Sequence, residues 1–144
     1  MERNTIEGVF VLDSSVLIKW FSNEDDTSIA LKLRDSYVKG KASIVCPDLV
    51  IYEIANALRY NKALKEKDIK NSVDSLLSMG ISVIVPTKQV IESAISIALQ
   101  HDITVYDAYF IALAKELNFK YVTADEKLYN KIKKLEFVKL LKEI

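Results

Sequence analysis

Four acidic residues stand alone among apolar or turn-forming neighbours in this 144-residue sequence. Their surroundings are VFVLDSSVLI around Asp13, LVIYEIANAL around Glu53, VYDAYFIALA around Asp107 and VTADEKLY around Asp125. Burying an unpaired carboxylate is costly, so lone acids in apolar runs need an explanation. If the fold gathered all four at one place, they could not stay ionised together without a cation.

An all-carboxylate site predicts Mg²⁺ or Mn²⁺, because these cations take oxygen ligands, keep several waters and accept phosphate oxygens. Such an ion polarises a phosphate while an activated water attacks in line, which is phosphodiester hydrolysis. We assign Asp13 and Asp107 as direct metal ligands. Asp125 takes a supporting position or binds a second ion, and Glu53 orients or deprotonates the water. The sole histidine, His101, is expected at a helix end.

Helix capping is the alternative explanation for the three aspartates. The Thr104-x-x-Asp107 spacing matches a capping box, and Asp13 and Asp125 each precede a predicted helix. Glu53 falls in the second turn of its helix, too far in to cap, so its alternative is a solvated helix face. The residues alone leave both interpretations open.

Short apolar runs, which predict buried strands, alternate with segments of helical periodicity along the chain. Strands are predicted at 9–12, 42–46, 81–85, 120–123 and 137–140, and helices at 14–21, 28–38, 47–58, 67–79, 87–101, 105–117 and 126–135. This alternation, with right-handed crossovers, predicts an α/β sandwich with a mainly parallel sheet. Ligands of open α/β folds bind at the carboxyl edge of the sheet, where Asp13 and Asp125 are expected.

Composition bounds the remaining possibilities. The length predicts one domain, 1–144. Twenty basic and twenty acidic residues cancel, which argues against a passive, high-affinity DNA binder. The single cysteine, Cys46, fits a reducing compartment. No apolar run approaches the roughly 20 residues that span a bilayer, and the N-terminus lacks a signal-peptide core, so we expect a cytoplasmic protein without membrane contact.

The segments VLDSSVLIKWF, DLVIYEIANAL, VYDAYFIALA and TADEKLY, in this order and at these spacings, resemble PIN-domain ribonucleases, and most of all the VapC toxins of type II toxin–antitoxin pairs. The resemblance covers nearly the whole chain. It implies a three-layer α/β/α domain with about four to five short strands. It also implies a Mg²⁺- or Mn²⁺-dependent endoribonuclease, a hydrolase that cleaves single-stranded RNA with Asp13, Glu53, Asp107 and Asp125. A homodimer and a cognate antitoxin protein are implied as well.

Other functions stay open. A PIN nuclease of RNA processing would use the same chemistry as a toxin, and a non-catalytic PIN scaffold would bind RNA or protein only, although the four intact acids argue against it. A haloacid-dehalogenase-type phosphatase wants a second aspartate where this chain has Ser15. A response-regulator receiver needs a phosphoacceptor aspartate where the chain has Pro86 and Thr87.

Two further groups of residues are set apart from the predicted site. Tyrosines such as Tyr52, Tyr60, Tyr106 and Tyr109 could stack on bases, but at helical spacing they are more often core or interface residues. The KIKK run at 131–134, with Lys127 nearby, is expected to be a solvated helix face.

Overall fold

The computed structural model describes residues 5–144, and within that range the chain forms one parallel sheet surrounded by helices. The strands are β1 Gly8–Leu12, β2 Ala42–Pro47, β3 Ser82–Ile84, β4 Lys120–Thr123 and β5 Val138–Leu140. The α-helices are α1 Ser14–Leu17, α2 Thr27–Val38, α3 Leu49–Leu58, α4 Glu66–Ser78, α5 Lys88–His101, α6 Val105–Leu117 and α7 Glu126–Ile132. Short 3₁₀ helices span Ile18–Trp20 and Leu141–Glu143. No helix in 5–144 has the length and apolarity to cross a membrane.

The strand order is β3-β2-β1-β4-β5, and every neighbouring pair is parallel. The chain therefore runs outward from β1 to one side through β2 and β3, then returns to the other side of β1 through β4. Val11 of β1 pairs with Val45 on one side and Tyr121 on the other. The gap beyond the carboxyl ends of β1 and β4 is a topological switch point, where α/β folds bind ligands.

The core is centred on β1 and α6. Val11 and Leu12 are fully buried, and seven consecutive residues of α6, 108–114, are buried. Burying one Leu or Phe side chain stabilises the fold by about 1.5–3 kcal/mol, so this helix is held firmly against the sheet. The first turn of α6, which carries Asp107, is therefore fixed in position.

The α/β fold with a five-stranded parallel sheet is confirmed, and the predicted bounds of α6 and β4 match those of the structure. The buried character predicted for the third strand is wrong. Ser82 and Val83 are exposed because β3 is an edge strand that pairs only with β2. Pro47 was predicted to open a helix and instead ends β2.

Candidate active site

Asp13 lies directly after β1 and is only 6% exposed. Its backbone carbonyl accepts the first helical hydrogen bonds of α1, from the amides of Val16 at 3.0 Å and Leu17 at 3.2 Å. Its side chain makes no capping bond. The backbone of Asp13 thus begins the helix, but its side chain does not cap it, so the carboxylate stays available for other contacts.

Three hydroxyl groups hold the Asp13 carboxylate. Thr123 Oγ1 donates to Oδ2 at 2.7 Å, Ser15 Oγ donates to Oδ2 at 3.1 Å, and Ser14 Oγ donates to Oδ1 at 3.4 Å. Burial raises the pKa of Asp13, and the bonds from Thr123 and Ser15 partly oppose that rise. Thr123 also accepts from the amide of Asp125 at 3.1 Å, so one hydroxyl shapes the turn and orients the carboxylate.

Glu53 is placed by α3, which anchors itself in the core through Ile54 and Leu58. Its side chain is half-buried, and Oε1 has no hydrogen-bond partner among residues 5–144. Burial first, and then the negative charges of Asp13 and Asp107, raise the pKa of Glu53 to about 7. Glu53 is therefore not on a solvated helix face, and it changes charge near neutral pH.

Asp107 is the third residue of α6 and is half-buried. Its backbone amide donates to Thr104 Oγ1 at 3.1 Å, so Thr104 is the side-chain cap of this helix. Burial, followed by the charge of Asp13, raises the pKa of Asp107, and the charge of Asp125 adds to the effect. The cap of α6 is thus the Thr104 side chain, and the Asp107 carboxylate is close enough to Asp13 and Asp125 for their charges to raise its pKa.

Asp125 follows β4 and is exposed. Its Oδ1 accepts from the amide of Leu128 at 3.0 Å and caps α7. The capping interpretation thus holds for one carboxylate oxygen of Asp125, which leaves the second oxygen free of that bond.

The four predicted acids, which we call the acidic cluster, meet at the carboxyl edge of the sheet. The charges of Asp13 and Asp107 raise the pKa of Glu53, and the charges of Asp13 and Asp125 raise the pKa of Asp107, in each case in addition to burial. The arrangement is loose. Within residues 5–144, no three His, Cys, Asp or Glu side chains stand ready to hold one metal ion together.

Thiol chemistry does not contribute to this site. Cys46 is fully buried in β2, and its thiol donates to the carbonyl oxygen of Leu12 at 3.6 Å. Burial, above all, raises the pKa of Cys46 to about 12. The thiol therefore stays protonated and cannot act as a nucleophile near neutral pH.

Two cavities flank the acidic cluster. One, of about 500 Å³, is lined by Asp102, Ile103, Thr104, Asp107, Asp125, Lys127, Leu128 and Lys131. The other, of about 220 Å³, is lined by Asp48, Leu49, Tyr52, Pro86, Ile91, Val105, Tyr106 and Tyr109. Apart from Asp107 and Asp125, the sequence analysis left these lining residues outside the site. A signal was present for the second set, because Tyr52 and Tyr106 each directly precede a predicted site acid.

Comparison with known proteins identifies the family of the chain. The PIN domain family model matches residues 10–134. Ribonuclease VapC3 of Pyrobaculum aerophilum is 34% identical over 88 residues, which are 58% of this chain and 67% of the relative.

Solved structures give the same result for the fold. A toxin–antitoxin complex from Klebsiella pneumoniae superposes with a TM-score of 0.68 at 15% identity, covering 91% of this chain and 96% of that one. VapC20 of Mycobacterium tuberculosis, a sarcin–ricin loop cleaving toxin, superposes with a TM-score of 0.66 at 17% identity, covering 84% of this chain and 93% of that one. Because the family model spans most of the chain, including all four residues of the acidic cluster, the chain belongs to the PIN domain family.

Proposed function

We propose that this protein is an endoribonuclease that hydrolyses phosphodiester bonds of single-stranded RNA with a bound Mg²⁺ or Mn²⁺ ion. The observation that supports it most is the meeting of Asp13, Glu53 and Asp107 at the switch point of the sheet, where burial and then the charge of Asp13 raise the pKa of both Glu53 and Asp107. Groups with such perturbed pKa values cluster at functional sites. The name of the Pyrobaculum aerophilum relative, a ribonuclease, points to the same chemistry.

The residues fit a hard cation. Their donors are all carboxylate oxygens, and Glu53 Oε1 is a buried acceptor without a donor among the described residues. A cation would relieve the repulsion that the raised pKa values record. Mg²⁺ needs only one or two protein carboxylates and completes its shell with water, so the absence of a three-carboxylate set in 5–144 is compatible with it.

In this proposal Asp13 and Asp107 hold the ion, and Asp125 supports Asp107 or helps to hold a second ion. When bound, the metal supplies Lewis-acid polarisation of the phosphate and charge stabilisation in the transition state. Glu53, with a pKa of about 7, is suited to orient the attacking water and accept its proton at Oε1. Thr123 and Ser15 keep the Asp13 carboxylate in one orientation.

The flanking cavities suit an RNA chain. Lys127 and Lys131 line the larger cavity beside Asp107 and Asp125, where their charges can position phosphate groups. The tyrosine-lined cavity on the other side suits an unstacked base, which favours single-stranded RNA over a duplex.

We also propose that the protein is the toxin of a type II pair, works as a homodimer and is inhibited by a cognate antitoxin protein. Support comes from the structural neighbour from Klebsiella pneumoniae, which is a toxin–antitoxin complex. Controlled expression in a bacterial host should arrest growth with the wild type and not with Asp13→Asn. Normal growth with both would favour a role in RNA processing.

The catalytic proposal is tested by cleavage of a panel of short RNAs in Mn²⁺ or Mg²⁺. We expect Asp13→Asn and Asp107→Asn to lose at least about 100-fold in rate, because each removes a charge that orients the reaction. Asp74→Asn makes the same chemical change on the exposed side of α4 and should leave the rate unchanged. Equal cleavage by all variants would mean a contaminating nuclease. RNA binding without turnover would assign a non-catalytic scaffold.

A further inference from the structure

The smaller cavity, which we call the tyrosine pocket, has a composition that the proposed hydrolysis does not use. Its volume is about 220 Å³, below the roughly 300–1,000 Å³ of sites for drug-sized ligands, so it suits one ring system. Two tyrosines, Tyr52 of α3 and Tyr106 of α6, line it while remaining 70% and 67% exposed. Large aromatic rings left this exposed are available to stack on a ligand.

The tyrosine pocket adjoins the acidic cluster through two helices. Tyr52 directly precedes Glu53 on α3, and Tyr106 directly precedes Asp107 on α6. Neighbouring Cα atoms are about 3.8 Å apart, and consecutive helical side chains point in different directions. Each helix thus presents its acid to the cluster and its tyrosine to the pocket. Along both helices, the pocket therefore begins one residue away from an acid of the cluster.

Two polar groups in the pocket wall lack obvious use within the fold. Tyr109 is only 4% exposed, and its hydroxyl has no hydrogen-bond partner within the part of the chain that the structure describes. Asp48 is half-buried where β2 meets α3, and its carboxylate makes no capping bond to that helix. A buried hydroxyl without a partner costs free energy, so it marks a place where a ligand atom is expected.

We propose that the tyrosine pocket binds one nucleobase of the RNA substrate, next to the bond that is cut. The base stacks on Tyr52 and Tyr106, while Asp48 accepts from an amino or imino group on its edge and Tyr109 bonds to a neighbouring ring or carbonyl atom. The inference rests on the proposed function, because it assigns a base-reading subsite to that RNA substrate.

A nucleobase suits the pocket better than a second copy of this chain. Aromatic stacking accepts any flat π-surface, and a base edge carries donors and acceptors side by side. An apolar protein surface would leave the Tyr109 hydroxyl and the Asp48 carboxylate unpaired at added cost. A subunit contact also covers about 800 Å² on each partner, whereas the pocket is a small concavity.

The test measures binding of fluorescently labelled single-stranded RNA by anisotropy in EDTA, where the proposed cleavage cannot proceed. A series of RNAs carries one abasic site, moved along the chain. We expect one position at which loss of the base weakens binding to the wild type by roughly 5- to 150-fold, the range that stacking of one base supports. Tyr52→Ala and Tyr106→Ala should weaken binding of intact RNA to a similar extent and be insensitive to that abasic site.

Three controls isolate the pocket. Tyr60→Ala removes a tyrosine that is 68% exposed at the end of α3, outside the pocket, and should bind like the wild type. Tyr52→Phe and Tyr106→Phe keep the ring and should restore binding. Asp48→Asn should change which base is preferred at the sensitive position, without weakening binding of the RNA that is abasic there.

The outcomes separate this inference from the proposed function. If RNA binding depends on Tyr52, Tyr106 and the abasic position but no cleavage occurs in Mn²⁺, base binding by the tyrosine pocket stands and the proposed ribonuclease activity is rejected. Metal-dependent cleavage with tyrosine variants that bind and cut like the wild type would reject the pocket alone. Dissociation of a dimer by Tyr52→Ala or Tyr106→Ala in sedimentation, or no RNA binding by the wild type, would also overturn the inference.

Discussion

Thr123 Oγ1 donates a 2.7 Å hydrogen bond to Asp13 Oδ2, across 110 residues of sequence. Thr123 is fully buried and Asp13 nearly so. A hydrogen bond to a charged group is stronger when it is shielded from water. This contact joins the carboxyl ends of β1 and β4 and fixes the direction of the central carboxylate.

Thr123→Val keeps the shape of the side chain and removes its hydroxyl. We expect a loss of about 1–3 kcal/mol in the free energy of unfolding, because a buried carboxylate loses its shortest donor. Urea unfolding measures the loss, and Thr123→Ser, which keeps the hydroxyl, should recover part of it. In the double variant Thr123→Val/Asp13→Ala, the change in the free energy of unfolding should differ from the sum of the two single changes by at least about 0.5 kcal/mol. Strict additivity would show that the two side chains do not interact.

Glu53 makes metal-free stability depend on pH. Its pKa is about 7 in the folded protein and 4.5 ordinarily, so between these values the folded state holds a proton that the unfolded state has lost. Stability therefore falls as pH rises through this window, and the loss is complete above pH 7. Glu53→Gln stays neutral throughout. In EDTA, the wild type should lose stability relative to Glu53→Gln between pH 5 and 8, and parallel urea-unfolding curves would contradict the raised pKa.

The proposed ion should stabilise only the folded acidic cluster. Millimolar Mn²⁺ or Mg²⁺ should raise the melting temperature of the wild type, by an amount equivalent to about 2.7 kcal/mol at 100 times the dissociation constant. The shift should be smaller at pH 5.5 than at pH 7.5, because protons compete for the same carboxylates. Asp13→Asn and Asp107→Asn should lose the shift, and Asp74→Asn should keep it. A shift that survives in Asp13→Asn would locate the ion elsewhere.

The sequence predicted the helices best where local chemistry decides their ends. Thr104 accepts from the amide of Asp107 and begins α6, at the position where the capping-box spacing predicts a cap. This signal lies within three residues of the helix start, so residue type alone locates it. The long apolar stretch that follows then predicts the buried centre of the helix.

The neighbours of Asp13 could not be predicted in the same way. Glu53 reaches Asp13 because β2, which leads into α3, lies beside β1, and Thr123 reaches it because β4 lies on the other side. Strand order is set by how whole elements pack and not by local sequence. The same cause explains the error at β3, since the apolar run ISVIV looks buried until its edge position is known.

The buried hydroxyl of Tyr121, next to the acidic cluster, is not expected to stabilise the fold. Its ring is fully buried beneath the site, and burial, with a contribution from Asp13, raises its pKa well above the usual value. Its hydroxyl is near Asp13 without a hydrogen-bond partner among the described residues. Removing an unpaired buried hydroxyl costs nothing, so Tyr121→Phe should match or exceed the wild type in unfolding free energy by up to about 1 kcal/mol. Tyr37→Phe is the control, because the Tyr37 hydroxyl donates to the carbonyl oxygen of Met79 at 2.9 Å. Its free energy of unfolding should fall by about 0.5–1.5 kcal/mol. A comparable loss in Tyr121→Phe would mean that its hydroxyl donates to Asp13 in solution.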